Sequence, residues 1–349
     1  MSKRIWFNRT FTTAYHYVDR IRNNSDQQPF AIYTSHPKYH SLMLQAGDYS
    51  EVEPKLNMND YAAYCLDFCR KHEIDLFIPH YGLNVIAEHA AAFEALGVKV
   101  MLGGNAEQLR TVSDKGKLFK AMAQVEGVAL PDHYIVDSLA QFLDAYERLL
   151  AKGHKVCFKP VHGEGGAGFW IINEERKTLR SIYEFVTPQL HIEEVIRLLS
   201  EQDQFEPLMV MEYMRGPEYS IDCLGTRDQL LAAVPRKKVE GRVRALEHKE
   251  ELIQLAHQIH KHIPLQYNFN IQVMYQDGVP KLLELNPRMS GGLYMSCLSG
   301  IDFPYLAVKL LLNQPFEVPT PEYDILVSHV EKEVTIQALL EQHEGGAYK

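Results

Sequence analysis

The run Asn270-Ile271-Gln272-Val273-Met274-Tyr275, then Gln276-Asp277-Gly278-Val279-Pro280, then Lys281-Leu282-Leu283-Glu284-Leu285-Asn286-Pro287-Arg288-Met289-Ser290-Gly291-Gly292, decides how the chain reads. Asp277-Gly278 between two apolar stretches signals a hairpin turn, because a two-residue loop needs left-handed backbone at both positions. On the second strand, Leu283 and Leu285 are expected to point one way and Glu284 and Asn286 the other. With Gln272 across from them on the first strand, an amide, a carboxylate and an amide make an all-oxygen face. Hard cations such as magnesium prefer oxygen donors, usually completed by phosphate oxygens. Pro287 stops the strand and sets Arg288 at its end, where a guanidinium can grip a phosphate or carboxylate with two parallel hydrogen bonds. The plainer alternative is a polar face on an edge hairpin, and this segment alone leaves both open.

Upstream, strands and helices alternate. Strands are predicted at 4–7, 30–33, 75–79 and 98–102. Helices are predicted from Thr12 or Thr13 to about 24, and at 59–72 and 83–96. That rhythm implies an α/β domain, an open doubly wound parallel sheet with crossover helices. Asn8-Arg9-Thr10 follows the first strand where a dinucleotide fold would want glycines, so no nicotinamide cofactor is expected there. Further on come a helix at 105–125 carrying Asp114, Lys115 and Lys117, a strand at 134–136 and a helix from Asp137 to about 151. A strand at 155–159, a Gly-rich loop, a strand at 169–172 and a charged helix at 176–203 follow. Strands at 208–214, 218–224 and 230–235 precede a basic stretch, Arg236 to Arg244, which reads as a mobile solvated loop. Helices at 248–262 and 301–313 flank the hairpin, and a last strand lies near 324–329.

At 349 residues the chain exceeds one small core, so two or three domains are expected. Its 46% hydrophobic and 23% charged content is that of an ordinary globular enzyme. The net charge of -9 argues against a general nucleic-acid or membrane partner. Cys65, Cys69, Cys157, Cys223 and Cys297 show no zinc-site spacing and read as reduced thiols of a cytoplasmic protein. Ile5-Trp6-Phe7 is too short for a signal peptide, and no run approaches the roughly 18 apolar residues of a membrane helix. His257, His260 and His262 read as a polar helix face rather than a metal site.

Gly163-Glu164-Gly165-Gly166-Ala167-Gly168 matches GxGxxG literally, which is weak by itself. A dinucleotide fingerprint must run into a helix, whereas Phe169-Trp170-Ile171-Ile172 reads as a strand. The His-Arg-Asp and Asp-Phe-Gly of protein kinases and the Gly-Lys-Ser/Thr of a Walker loop are missing. What remains is a glycine turn between two strands, with Lys159 just before it, where backbone N–H groups can approach phosphate oxygens. A merely flexible turn stays open as the simpler reading.

Several segments then occur in order: Asp114-Lys115, Phe158-Lys159-Pro160 with the glycine loop, Met211-Glu212-Tyr213-Met214-x-Gly-x-Glu218, and Gln272 followed by Glu284-Leu285-Asn286-Pro287-Arg288. Their order and spacing resemble the ATP-grasp superfamily, particularly the halves of carbamoyl-phosphate synthase large subunits and the carboxylate–amine ligases. The resemblance spans essentially the whole chain, Pro79-His80-Tyr81-Gly82 included. It implies an N-terminal pre-ATP-grasp α/β domain at 1–108, a small lid subdomain at 109–211 with the Gly-rich loop, and a C-terminal subdomain at 212–349 with the metal site. It implies that Lys115 and Lys159 contact ATP phosphates under a lid of Gly163, Gly165 and Gly166. Glu212, Tyr213 and Met214 would be the hinge reading adenine, and Glu218 would bind the ribose. Gln272, Glu284 and Asn286 would hold magnesium or manganese, and Arg288, catalytic together with Lys159, would meet the acyl phosphate. Arg236 is a further substrate candidate. Gln272 stands where relatives often carry an acid, which weakens one metal position.

The resemblance therefore implies an ATP-dependent ligase that turns a carboxylate into an acyl phosphate and joins it to an amine. Small-molecule carboxylate and amine partners and a homodimer are implied with it. Two alternatives stand beside this: phosphorylation of bicarbonate or carbamate, and a non-catalytic ATP-binding regulatory protein.

Overall fold

A computed structural model describes residues 2–163, 166–175, 183, 187–331 and 333–335. Strand β1 (Lys3–Phe7) is buried on both faces. Ile5 and Phe7 turn to one face and pack toward the helix Tyr15–Arg22. Trp6 turns to the other, where its ring stacks between Phe68 and Phe77, each with centroids 4.1 Å away. Such double burial is what a parallel sheet under crossover helices demands. β2 (Phe30–His36), β3 (Tyr49–Val52), β4 (Leu76–Ile78) and β5 (Lys99–Val100) complete a parallel sheet of order β3-β2-β1-β4-β5. The doubly wound fold is as expected. β3 was not predicted, because Tyr49–Val52 is short and half-exposed.

A second sheet has the order β6-β10-β7-β8-β9. Its strands are β6 (His133–Val136), β7 (Val156–Pro160), β8 (Trp170–Asn173), β9 (Gln189–His191) and β10 (Leu208–Glu212). Phe142, Ala145 and Leu149 of the helix Leu139–Ala151 and Val195 of the helix Ile192–Leu199 pack on Val156, Phe158 and Val210 of this sheet. The third sheet runs β15-β14-β11-β12-β13-β16. It is built from β11 (Glu218–Gly225), β12 (Leu230–Lys238), β13 (Arg244–Leu246), β14 (Tyr267–Gln276), β15 (Val279–Asn286) and β16 (Ile325–Val327).

The chain divides into two compact units, Met1–Arg110 with Tyr219–Ile271 and Leu285–Lys349, and Thr111–Glu218 with Gln272–Glu284. Three parts were expected at 1–108, 109–211 and 212–349, whereas here 1–110 groups with 219–271 and 285–349. The hairpin tip 272–284 goes with the glycine-loop residues, since Leu282 N–H bonds Ala129 O (2.9 Å) and Tyr275 N–H bonds Pro217 O (2.9 Å).

Several expected elements are interrupted. The helix expected over 105–125 is two, Ala106–Ser113 and Lys115–Met122, because the Asp114 carboxylate accepts the Lys117 N–H (2.9 Å) and restarts the helix. The helix expected over 83–96 breaks at His89 into Leu83–Glu88 and Ala90–Ala95. Thr12 and Thr13 lie in a 3-10 turn and make no side-chain cap. Most of the first half of the helix predicted at 176–203 lies outside the described residues, and its second half is β9 followed by a shorter helix. The basic stretch from Arg236 is not simply a loop: β12 continues through Lys238, and β13 begins at Arg244. No helix among the described residues is long and apolar enough to cross a membrane. All five cysteines are unpaired and buried.

Candidate functional site

Within the second unit, the phosphate-facing candidates converge on the end of β7. Lys115 opens its helix and is buried. Its ammonium donates to Gly163 O (2.8 Å) and Val161 O (3.4 Å), so it fastens the start of the glycine loop. Gly163, Gly166 and Gly168 have φ of 144°, 77° and 73°, which side chains rarely adopt, and a Cβ at Gly168 would strike the Pro160 ring at 2.7 Å. Gly165 lies outside the described residues.

Lys159 sits on β7 opposite Met209. Burial, then the neighbouring Lys115, holds its ammonium below the usual lysine range, while Glu284 and Cys157 pull the other way. Two cations held close in a poorly solvated place, with one carboxylate nearby, suit a polyanion. Linkage fixes the sign of the cost. The unfolded chain binds this proton more tightly than the folded one. The penalty is therefore fully present below the depressed folded value and is relieved as pH rises toward the ordinary 10.5. Lys159→Met is expected to abolish ATP turnover yet stabilise the nucleotide-free protein at pH 7 by about 1–3 kcal/mol. The gain should shrink toward pH 10. Thermal unfolding at both pH values checks this, and a midpoint lowered by the substitution at pH 7 would remove the buried-charge argument.

The segment expected to read adenine begins at Glu212, whose side chain is almost fully buried. It pairs with Lys281, accepts the Asp132 N–H (2.8 Å) and lies 3.7 Å from His154 Nδ1. Its side chain is thus a strut rather than a ligand-facing group. Tyr213 N–H is committed to Lys155 O (2.6 Å). Phe169, at the foot of the glycine loop, has its ring 6.5 Å from that of Tyr213. A Cβ at Gly216 would meet Tyr275 O at 2.1 Å, so the turn into Glu218 requires glycine.

The hairpin turn forms as expected, with Asp277 and Gly278 at φ 53° and 80°. Burial along β15 does not alternate cleanly: Leu282 and Leu285 are fully buried, while Leu283 and Glu284 are half-buried. Glu284 and Asn286, two residues apart on this strand, share a face. Among the described residues no cluster of three or more His, Cys, Asp or Glu side chains could hold a metal. The candidate set of Gln272, Glu284 and Asn286 therefore brings one carboxylate and two amides, all oxygen donors. That fits a magnesium ion that arrives with a nucleotide's phosphates and keeps part of its coordination from them.

In the first unit Arg288 is half-buried. Its guanidinium lies 5.5 Å over the Phe11 ring and donates to Met289 O (3.2 Å). Arg236 is buried and paired with Asp222 (3.0 Å). It also donates to Ser296 Oγ (3.1 Å) and Ser290 Oγ (3.4 Å). Asn270, Ser290 and Ser296 close the network on Asp222 at 2.8, 2.7 and 2.6 Å. Tyr17 donates to Ser290 O. A Cβ at Gly292 would strike the Arg236 guanidinium at 2.5 Å. The Arg236 charge is thus met by a buried carboxylate, and the side chain braces the turn that follows Arg288. Reading from sequence missed Asp222, although a lone acid inside Tyr219-Ser220-Ile221-Asp222-Cys223-Leu224 was a signal, since a buried charge needs a partner.

Comparison with known proteins follows the same lines. Residues 204–333 match the family described as ATP-grasp in the biosynthetic pathway with Ter operon. The 2-oxoglutarate carboxylase biotin carboxylase domain of Hydrogenobacter thermophilus, solved with MgADP, ADP and bicarbonate, aligns with a TM-score of 0.68 at 14% identity. That alignment covers 93% of this chain and 73% of that one. The chain has the ATP-grasp fold. A second structure, the ADP complex of N5-carboxyaminoimidazole ribonucleotide synthetase, aligns at TM-score 0.65 and 13% identity over 91% of this chain and 79% of that one. In sequence the protein resembles the arginine-specific carbamoyl phosphate synthase large chain of Geobacillus stearothermophilus, 22% identical over 71% of this chain and 23% of the relative. It also resembles the carbamoyl phosphate synthase large chain of Gemmatimonas aurantiaca, 21% identical over 80% of this chain and 25% of the relative. The chain thus spans about a quarter of the length of the curated relatives it matches.

Proposed function

We propose that the protein is an ATP-dependent ligase that activates a carboxylate as an acyl phosphate and passes the acyl group to an amine. One observation carries the reading: Lys159, beside Lys115 and the glycine loop, feels the carboxylate of Glu284, which heads the Glu-Leu-Asn-Pro-Arg segment. Glu284 and Arg288 are four residues apart, so their Cα atoms can be separated by at most about 14 Å.

In this reading Met214 backbone and Glu218 hold the nucleoside, while Lys115, Lys159 and the N–H groups of the glycine loop hold the phosphates. Gln272, Glu284 and Asn286 would hold magnesium, which when bound neutralises phosphate charge. Arg288 orients the substrate carboxylate. A carboxylate oxygen attacks the γ-phosphorus as the bond to the β-phosphate oxygen breaks and ADP leaves. The amine nitrogen then attacks the acyl carbon, phosphate leaves with the bonding pair, and the nitrogen loses its proton to solvent. Positioning and electrostatics supply most of the rate.

The carbamoyl phosphate synthase relatives favour a second reading, in which the acid is bicarbonate or carbamate. Hydroxylamine trapping during a phosphate-release screen separates them. A hydroxamate formed with ATP and an organic acid supports the ligase. Phosphate release that responds only to bicarbonate supports the second reading. No acid-dependent release from a protein that binds ATP leaves the non-catalytic alternative.

A further inference from the structure

The parallel sheet of the first unit has its topological switch between β1 and β4, where successive connections depart in opposite directions. In open α/β sheets ligands bind outside the carboxyl ends of the strands at that point. The residues there are Asn8-Arg9-Thr10 after β1 and Pro79-His80-Tyr81 after β4. Asn8 ties the two loops: its Oδ1 accepts the His80 N–H (2.7 Å), and its Nδ2 donates to Tyr81 O (2.9 Å) and Tyr61 Oη (3.1 Å).

The His80 side chain is more than nine-tenths buried, yet neither ring nitrogen has a hydrogen-bond partner, and its approach to the Ile78 backbone falls outside hydrogen-bond geometry. Buried polar groups are almost always satisfied, and exceptions call for a cause. Thr10 Oγ1 and Asn84 Oδ1, on the loops and helix at the same sheet edge, are likewise buried without partners. The imidazole is set among aromatic rings, 5.8 Å edge-on from Phe11 and 6.3 Å from Tyr17. Phe11 is also the ring beneath Arg288. Burial, then the Arg288 charge, pushes the His80 imidazole down to about 3, so at neutral pH it offers one N–H donor and one bare nitrogen acceptor. The acid at this edge is spent: Glu53 is paired with Arg9 (2.5 Å) and accepts from Ser35 Oγ (2.8 Å). Among the described residues Glu53 is the only buried carboxylate at this edge, so no free anion there meets an ammonium group.

We propose that His80, supported by Thr10, holds an uncharged hydrogen-bonding group, a hydroxyl or amide, on a carboxylate substrate whose acid end faces Arg288, and thereby selects which acids the protein accepts. The proposal rests on the acid-activating function above. A hydroxyl can accept from the imidazole N–H or donate to its bare nitrogen, whereas an unsubstituted acid would leave both unpaired. Sites built to bond such a group reject analogues lacking it.

The test uses the full chain, ATP and hydroxylamine with matched acids: propionate with lactate and alanine, butyrate with 3-hydroxybutyrate, and succinate with succinamate. The expected result is a kcat/KM preference of about tenfold or more for a hydroxyl or amide member in at least one pair. His80→Phe should erase that preference by slowing the polar acid alone, leave the KM for ATP unchanged, and be partly rescued by His80→Gln. Where His80→Phe does not fold, Thr10→Val must reduce the same preference. A preference that survives these substitutions, a wild-type protein that prefers the unsubstituted or ammonium-bearing acids, or a shift in the KM for ATP overturns the role of His80 while leaving acid activation standing. If no acid yields a hydroxamate or raises phosphate release, the acid-activating reading itself falls and takes this inference with it.

Discussion

Glu284→Ala is expected to leave a folded protein with no measurable magnesium-dependent turnover. The candidate donor set holds two neutral amides, Gln272 and Asn286, and Glu284 is its one charged member. Hard divalent ions are held by carboxylates and phosphate oxygens, and amides alone compete poorly with water. Loss of the ion's charge stabilisation at a transferring phosphoryl group costs several kcal/mol of barrier, on the order of a thousandfold in rate. The fold should survive, because Glu284 is half-buried while Leu282 and Leu285 on the same strand carry the packing. Electrostatics gives a second readout. Glu284 partly offsets what Lys115 and burial do to Lys159, so its removal should push the Lys159 ammonium further below its usual range and weaken ATP binding earlier as pH rises. Phosphate release against magnesium concentration, with circular dichroism to confirm folding, measures the first effect. ATP titration at pH 7 and pH 9 measures the second. A folded variant with wild-type magnesium-dependent turnover would take the metal away from this strand.

How much of this was legible follows from how local each feature is. The Asp277-Gly278 turn could be read because two adjacent left-handed residues demand that dipeptide chemistry. The parallel sheet could be read because double burial makes Ile5-Trp6-Phe7 of β1, Phe30-Ala31-Ile32-Tyr33 of β2 and all of β4 apolar runs. The helix break at Asp114 was also written locally, as an Asx cap three residues before Lys117, but an unbroken apolar periodicity on both sides concealed it. Arg236 was legible only as a cation. Its partner Asp222 is on the neighbouring antiparallel strand, where Arg236 pairs with Ser220 and Asp222 with Val234. The ion pair is therefore a diagonal contact that no local pattern announces. His80 lay in a stretch already singled out by the resemblance. Its orphaned ring nitrogens, though, are a statement about what does not surround it, and only packing from Phe7, Phe11 and Tyr17 reveals that. The division at 272–284 was hidden for a related reason. A hairpin reads as one element, yet its tip bonds to Ala129 and Pro217, far away in sequence.

Arg288→Lys should lower kcat by roughly 30- to 160-fold, the equivalent of about 2–3 kcal/mol lost on removing one oxyanion-type donor. It should leave the affinity for ATP nearly intact. Arg288 follows the strand of Glu284 and Asn286 after a proline stop, and its guanidinium is steadied by the Phe11 face and the Met289 carbonyl. A lysine keeps the positive charge but loses the planar fork that makes two parallel hydrogen bonds to a carboxylate or acyl phosphate. It would also sit less well over the ring, since an ammonium is more strongly hydrated. An interaction that strengthens as charge moves onto the acyl phosphate is felt in kcat rather than in ground-state binding. The bracing network beneath the turn sharpens the test. Gly292 abuts Arg236, and Ser290 bonds Asp222, so the backbone at 288 is held in place whichever side chain it carries. A fall in rate can then be assigned to the side-chain head group rather than to a collapsed loop. Steady-state kinetics at saturating acid, beside direct ATP titration, distinguishes the possibilities. A variant with intact kcat but collapsed ATP affinity would place Arg288 on the nucleotide and remove it from the acyl phosphate.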